Sequence, residues 1–336
     1  MTRYSSLLIA FAASLLLVAC SDDDPSTMTH YFNPVWTPDG STIVAGYVQA
    51  PTGPVNGPDG ALGAPGSLAV LDMDTRVERI ISLPAVSTVH TLYAFDPSGA
   101  ALTFVENGGF YFYDLTGREL LFHQPAEGGI PAVMDFSNTG NSFLWLGSTP
   151  EGYTVNTTVY DAATWTIDNQ ITMFTIPNDS PVLALTHTSQ RSFAVRLENG
   201  TVKEYDFNGS ELNTFATAPF ESNNPWHYRL MFYSRNDERY LFVRDDEGIR
   251  RLDLASGIPR LLVEGGAIDM DISAVRNSMV YETTTGDTWI ATVEGNPLTR
   301  IAPMNVMPRI SPANNGIAMV ERTDVYTDSL HVLRLR

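Results

Sequence analysis

An apolar strand, a turn built on Pro, Asn, Asp or Ser with Gly, and a second apolar strand recur seven times along this chain. The clearest copies are Val35-Trp36-Thr37-Pro38-Asp39-Gly40-Ser41-Thr42-Ile43-Val44, Ala94-Phe95-Asp96-Pro97-Ser98-Gly99-Ala100-Ala101-Leu102-Thr103-Phe104 and Met134-Asp135-Phe136-Ser137-Asn138-Thr139-Gly140-Asn141-Ser142-Phe143-Leu144. Degraded copies follow at Thr188–Phe193, Ser234–Leu241, Ser273–Met279 and Ser311–Ile317. A short unit repeated head to tail cannot bury its apolar face alone, so each copy must stack on its neighbours.

Behind each of the first five units the strands end at a second, Asp-led turn: Asp72-Met73-Asp74-Thr75, Asp114-Leu115-Thr116-Gly117, Asp161-Ala162-Ala163-Thr164, Asp206-Phe207-Asn208-Gly209 and Asp253-Leu254-Ala255-Ser256-Gly257. An aspartate bonds backbone amides two residues on, and glycine supplies the positive φ that closes a hairpin, so these acids shape the chain and need no catalytic job. Two turns per unit mean four strands. Seven such units average about 43 residues, the period of a four-stranded propeller blade. The expectation is an all-β, seven-bladed β-propeller of antiparallel blades over residues 32–336, with six or eight blades left open. The last unit stops one strand short, and the segment Thr29-His30-Tyr31-Phe32 is expected to close that last blade by pairing along its open edge.

The N-terminal end reads as an address. Arg3, a twelve-residue apolar run from Leu7 to Val18, and then Leu17-Val18-Ala19-Cys20 describe a secretory signal, and the run is too short to span a bilayer. Leu17–Cys20 resembles the lipobox read by bacterial lipoprotein signal peptidase. Residues 1–19 would be removed, the single cysteine Cys20 would carry the lipid, and residues 20–31, beginning Cys20-Ser21-Asp22-Asp23-Asp24, would form an acidic tether. The implied place is the bacterial cell envelope, on the outer membrane, with the periplasmic and the outward-facing side both open. The implied first partner is the lipid bilayer.

Charge narrows the other partners. The chain carries 38 acidic against 20 basic residues for a formal net charge of −18, and Lys203 is its only lysine. Nucleic acid is excluded as a partner, because affinity for it rests on Lys and Arg meeting phosphates.

The turn Trp36-Thr37-Pro38-Asp39-Gly40 resembles the aromatic-Ser-Pro-Asp-Gly turn of the TolB-like, PD-repeat β-propellers. That resemblance covers nearly all of the chain after the signal and implies protein or peptide binding, in some relatives beside a separate catalytic domain. No G-x-S-x-G nucleophile turn is present to mark such a domain. Asp287-Thr288-Trp289 is a fragment of the sialidase box, and Asp161-Ala162-Ala163-Thr164-Trp165 a single echo of a quinoprotein docking motif. The six histidines, His30, His90, His123, His187, His227 and His331, show no metal-ligand spacing. Asp269-Met270-Asp271 and Asp245-Asp246-Glu247 offer oxygen ligands for calcium, and read more simply as solvated hairpin acids. No catalytic residue, metal or cofactor is therefore assigned.

Loops that join second to third strands and those that join blades emerge on one rim, where binding commonly resides. Two stand out: the Pro/Gly-rich stretch Gln49–Ser67, and Pro219–Arg229, which ends Pro225-Trp226-His227-Tyr228-Arg229. Trp226, His227, Tyr228 and Arg229 combine aromatic and cationic groups typical of interface anchors; the bland alternative packs Trp226 and Tyr228 between blades. The expected function is a non-catalytic envelope lipoprotein that binds a protein, peptide or glycan. The alternative is an envelope hydrolase or lyase with its active site in the propeller funnel, which a cluster of His, Asp, Glu or Arg at the axis would favour.

Overall fold

A computed structural model describes residues 27–51, 67–82, 93–106, 108–115, 119–125, 129–137, 141–177, 179–219, 227–301, 305–313, 315–322 and 328–335. All of its regular structure is β, in seven antiparallel sheets. Blade 1 holds β1 (Thr27–Trp36), β2 (Thr42–Pro51), β3 (Ser67–Asp72) and β4 (Glu78–Ser82), and blade 2 holds β5 (Tyr93–Phe95), β6 (Ala101–Glu106), β7 (Gly109–Asp114) and β8 (Glu119–Pro125). Blade 3 holds β9 (Ile130–Phe136), β10 (Ser142–Thr149), β11 (Gly152–Asp161) and β12 (Thr166–Pro177). Blade 4 holds β13 (Val182–Ser189), β14 (Ser192–Leu197), β15 (Thr201–Asp206) and β16 (Glu211–Ala216). Blade 5 holds β17 (Leu230–Arg235), β18 (Glu238–Asp245), β19 (Gly248–Asp253) and β20 (Pro259–Glu264), and blade 6 holds β21 (Ala267–Ser273), β22 (Ser278–Thr283), β23 (Thr288–Thr292) and β24 (Pro297–Arg300). Blade 7 has three strands among the described residues, β25 (Asn305–Ile310), β26 (Gly316–Arg322) and β27 (Asp328–Arg334).

All seven copies of the first turn join first to second strands, and all five Asp-led turns join third to fourth strands. Their chemistry is local. Asp72, Asp161, Asp206 and Asp253 each accept two backbone amides through one carboxylate oxygen, as in Asp206 Oδ1 with Asn208 N at 2.9 Å and Ser210 N at 2.8 Å. Those bonds hold the Asp206 carboxyl below the usual carboxylate range.

Burial peaks in the second strands and falls toward the outermost. Second strands are sandwiched on both faces and are mainly apolar, and every residue of β14 is buried. Outermost strands are solvated, with all four residues of β24 exposed. Aromatic and aliphatic clusters fill each gap between successive blades. Phe110, Phe112, Phe143, Trp145 and Tyr160 join blades 2 and 3, for instance, and Leu144, Val155, Phe193 and Val195 join blades 3 and 4.

Closure departs from the expected strand exchange. Thr29–Phe32 lies in β1, which pairs with β2 from Thr27↔Pro51 to Trp36↔Ile43, so its ladder is committed to blade 1 and it cannot serve as the missing edge of blade 7. β1 also takes in Thr27–Tyr31, upstream of the boundary at 32 expected for the propeller. Blades 7 and 1 meet face to face instead. Tyr31, Phe32, Ala45 and Val48 pack on Val306, Met307 and Val320, and Trp36 and Ile43 pack on Ala318. Side chains pin the seam: His30 Nδ1 lies 3.1 Å from Asp328 Oδ2, and Trp36 Nε1 donates to Arg309 O at 2.9 Å.

The turns at this seam touch as well. Gly40 has φ +71°, and a Cβ there would stand 2.7 Å from both Ala313 Cβ and Ser311 Oγ in the blade 7 turn. Gly257 has the same φ of +71° with nothing within 4 Å of a Cβ. Gly40→Ala should therefore destabilise by about 1–3 kcal/mol more than Gly257→Ala, since both share the backbone strain and only one meets a neighbouring blade. Denaturant midpoints of the two variants measure that difference.

Candidate functional site: the axial channel

The seven inner strands surround a channel, and one residue per blade sits at equal register, two positions before its turn: Val35, Ala94, Asp135, Thr186, Phe232, Asp271 and Arg309. The described residues enclose two chambers along it. The one toward the starts of the inner strands has a volume of about 390 Å³ and is walled by Val133, Ala184, Leu230 and Phe232 with Asp135, His187, Tyr228 and Arg229. The one toward the turns measures about 650 Å³ and is walled by Trp36, Phe95, Phe136, Asp271, Arg309 and the turn prolines Pro38, Pro97 and Pro312. Both fall in the range of small-molecule sites, about 300–1,000 Å³.

Two carboxylates at the shared register brace neighbouring blades in the same way. Asp135 Oδ2 accepts the backbone amide of His187 at 2.7 Å, and its ring Nδ1 lies 3.0 Å away. Asp271 Oδ2 accepts the amide of Ile310 at 2.7 Å. Each acid thus ties its inner strand to the next by a charge-assisted bond. Arg309, whose side chain is 2% exposed, reaches Asp269 Oδ2 at 2.7 Å on one side and Asn33 Oδ1 at 3.0 Å on the other, joining blades 6, 7 and 1. Asp269 also accepts the amide of Met270, and Glu282 that of Met307.

The second strands of blades 4 and 5 carry buried arginines at matching positions, Arg196 and Arg244. Burial pulls both guanidiniums down to about 10, while Asp245 acts in the opposite direction on Arg196 and Asp269 on Arg244. Arg244 Nε donates to Ala267 O at 2.5 Å.

Among the residues expected on the binding rim, Trp226 lies outside the described residues, as do Cys20 and most of the Gln49–Ser67 loop. His227, Tyr228 and Arg229 immediately precede β17 and are half-buried. Tyr228 and Arg229 line the channel wall, and Arg229 Nη1 stands 3.5 Å from Met270 O and 3.7 Å from Asp271 Oδ1. Burial, and then the guanidinium of Arg309, push Arg229 below the usual arginine value. The β2–β3 and β16–β17 connections that carry the two loops do emerge at one end of the blades.

The reading of Asp269, Asp271 and Asp245 as solvated hairpin acids is corrected: they are 2%, 7% and 2% exposed. Asp245 accepts the amides of Ala218, Glu247 and Gly248 and pairs with Arg250 at 2.6 Å, which accounts for its burial without a metal. Among the described residues no group of three or more His, Cys, Asp or Glu side chains could hold a metal ion.

No family model matches the chain, and no curated protein matches its sequence. Solved structures resemble it in fold. The C-terminal WD40 domain of Sif2 superposes with a TM-score of 0.57 at 12% identity, covering 92% of this chain and 82% of that one. The structure of U3-55K gives a TM-score of 0.63 at 11% identity, covering 92% and 98%. The protein is thus a seven-bladed β-propeller in fold, similar in architecture to these solved structures, with an axis braced by ion pairs.

Removing one partner of a buried pair strands the other, so Arg309→Met should cost about 3–5 kcal/mol, and adding Asp269→Leu should restore part of it. Thermal denaturation of the single and double variants gives the comparison.

Proposed function

We propose that this chain is a non-catalytic binding scaffold of the bacterial cell envelope, anchored through an acylated Cys20 and built as a TolB-like propeller. The observation that carries the reading is the use of the axial charges. Asp135, Asp271 and Arg309 converge at the axis, the arrangement that would favour an enzyme, yet each is engaged in holding one blade to the next. Propellers of this type present loops on a rigid frame, and such frames commonly serve protein recognition.

The partner is a protein or peptide that meets the rim carrying Gln49–Ser67 and Trp226–Arg229, with a glycan as the other ligand class for the same loops. Trp226 and Tyr228 supply aromatic anchors beside cationic Arg229. The net charge of −18 suits a basic or neutral partner and opposes an acidic one. An envelope hydrolase or lyase is the second reading, and the Asp135–His187 pair bordering the chamber toward the strand starts is the observation in its favour.

Crosslinking with mass spectrometry in the native host identifies the neighbour. Trp226→Ala with Tyr228→Ala should lose it while the melting temperature holds, and Cys20→Ser should move the protein from the membrane to the soluble fraction. Recovery of the same neighbours by the double variant would reject this rim.

A further inference from the structure

Four residues line both chambers and so mark the waist of the channel: Val35, Ala94, Asp135 and Arg229. They come from blades 1, 2, 3 and the start of blade 5. The waist thus carries one carboxylate, one guanidinium and two apolar side chains.

Its two charges are bound differently from the rest. Two buried arginine pairs are tight, at 2.6 Å for Arg250–Asp245 and 2.7 Å for Arg309–Asp269. Among the described residues Arg229 has two long contacts, of 3.5 and 3.7 Å, through one nitrogen, and its side chain is 28% exposed. A guanidinium carries five N–H donors, so most of this one's capacity is unused among the described residues. Beside it in the wider chamber, buried Arg309 Nε has no hydrogen-bond partner among the described residues. Asp135 uses Oδ2 for His187, its Oδ1 is unbonded among the described residues, and its side chain is 34% exposed. Spare donors on one side and a spare acceptor on the other face a common space.

We infer that the channel waist binds a small zwitterion, an α-amino acid or a short peptide, with its carboxylate on Arg229 and its ammonium on Asp135. A lone anion would meet Asp135 and Asp271, and a lone cation would meet Arg229 and Arg309; a ligand of both signs leaves neither uncompensated. Val35 and Ala94 at the waist, and Val133, Ala184, Leu230 and Phe232 above it, fit an apolar side chain. Arg229 also ends the proposed rim segment, so the two sites adjoin, but a small ligand can fill the waist with no macromolecule on the rim.

Calorimetric titration of the full chain with leucine, phenylalanine, a dileucine and a trileucine peptide, and the N-acetyl amide of leucine tests the inference. At least one free zwitterion should bind at millimolar concentration or better, with the blocked amide weaker by about 10-fold or more. The free amino acids separate a metabolite site from a peptide-end site, according to whether they or the peptides bind more tightly. Arg229→Gln should weaken binding by about 10-fold or more, because a charge-assisted bond is lost, while Arg260→Gln on the exposed outer face binds as the parent does. Asp135→Asn should act like Arg229→Gln; if it lowers the melting temperature, Arg229→Gln alone decides. Absence of binding by every zwitterion, or equal binding by the blocked amide or by Arg229→Gln, would overturn the inference.

Discussion

Packing of one blade's apolar face on the next is the interaction from which every other feature follows. Each sheet is too small to be stable alone, and its second strand is buried only because a neighbour stands on either side. Seven such contacts must close into a ring, so the last is made between the two ends of the chain's β structure. There the join uses the same face packing as elsewhere, helped by Trp36, His30 and Arg309, and among the described residues no strand crosses from one blade to the other.

A ring of converging strands brings backbone and side chains of seven blades to one axis, and what lines that axis decides whether the centre is filled, sealed or open. In this protein blades 1 and 2 present small apolar groups, and blades 3, 6 and 7 present charges that accept or donate across to a neighbouring strand. The same geometry that lets Asp135 and Asp271 reach a neighbouring amide leaves the axis charged at blades 3, 6 and 7 and apolar at blades 1 and 2. Stability and a lopsided channel arise together.

The turns were readable from the chain because their chemistry is local: an aspartate oxygen and an amide two residues away need no distant partner. Blade type and number followed from their spacing. The closing seam was not readable, because it depends on which edge of β1 is free, and Tyr31 and Phe32 look equally suited to pairing or to facing a neighbour. The axial acids were missed for a related reason. Asp135 and Asp271 are the same residue type as the turn aspartates, and only their shared register in Asp135-Phe136-Ser137 and Asp271-Ile272-Ser273 sets them apart. Arg229 was singled out for the rim, and its place on the channel wall follows from the half-buried start of β17.

Other outermost strands reach the interior through single side chains, Ile81, Ile176 and Phe215, but β24 is exposed at all four residues. It is a solvated skin over a core made by the three strands inside it. The outer layer is where sequence can drift or an insertion can be accommodated while the ring itself stays shut.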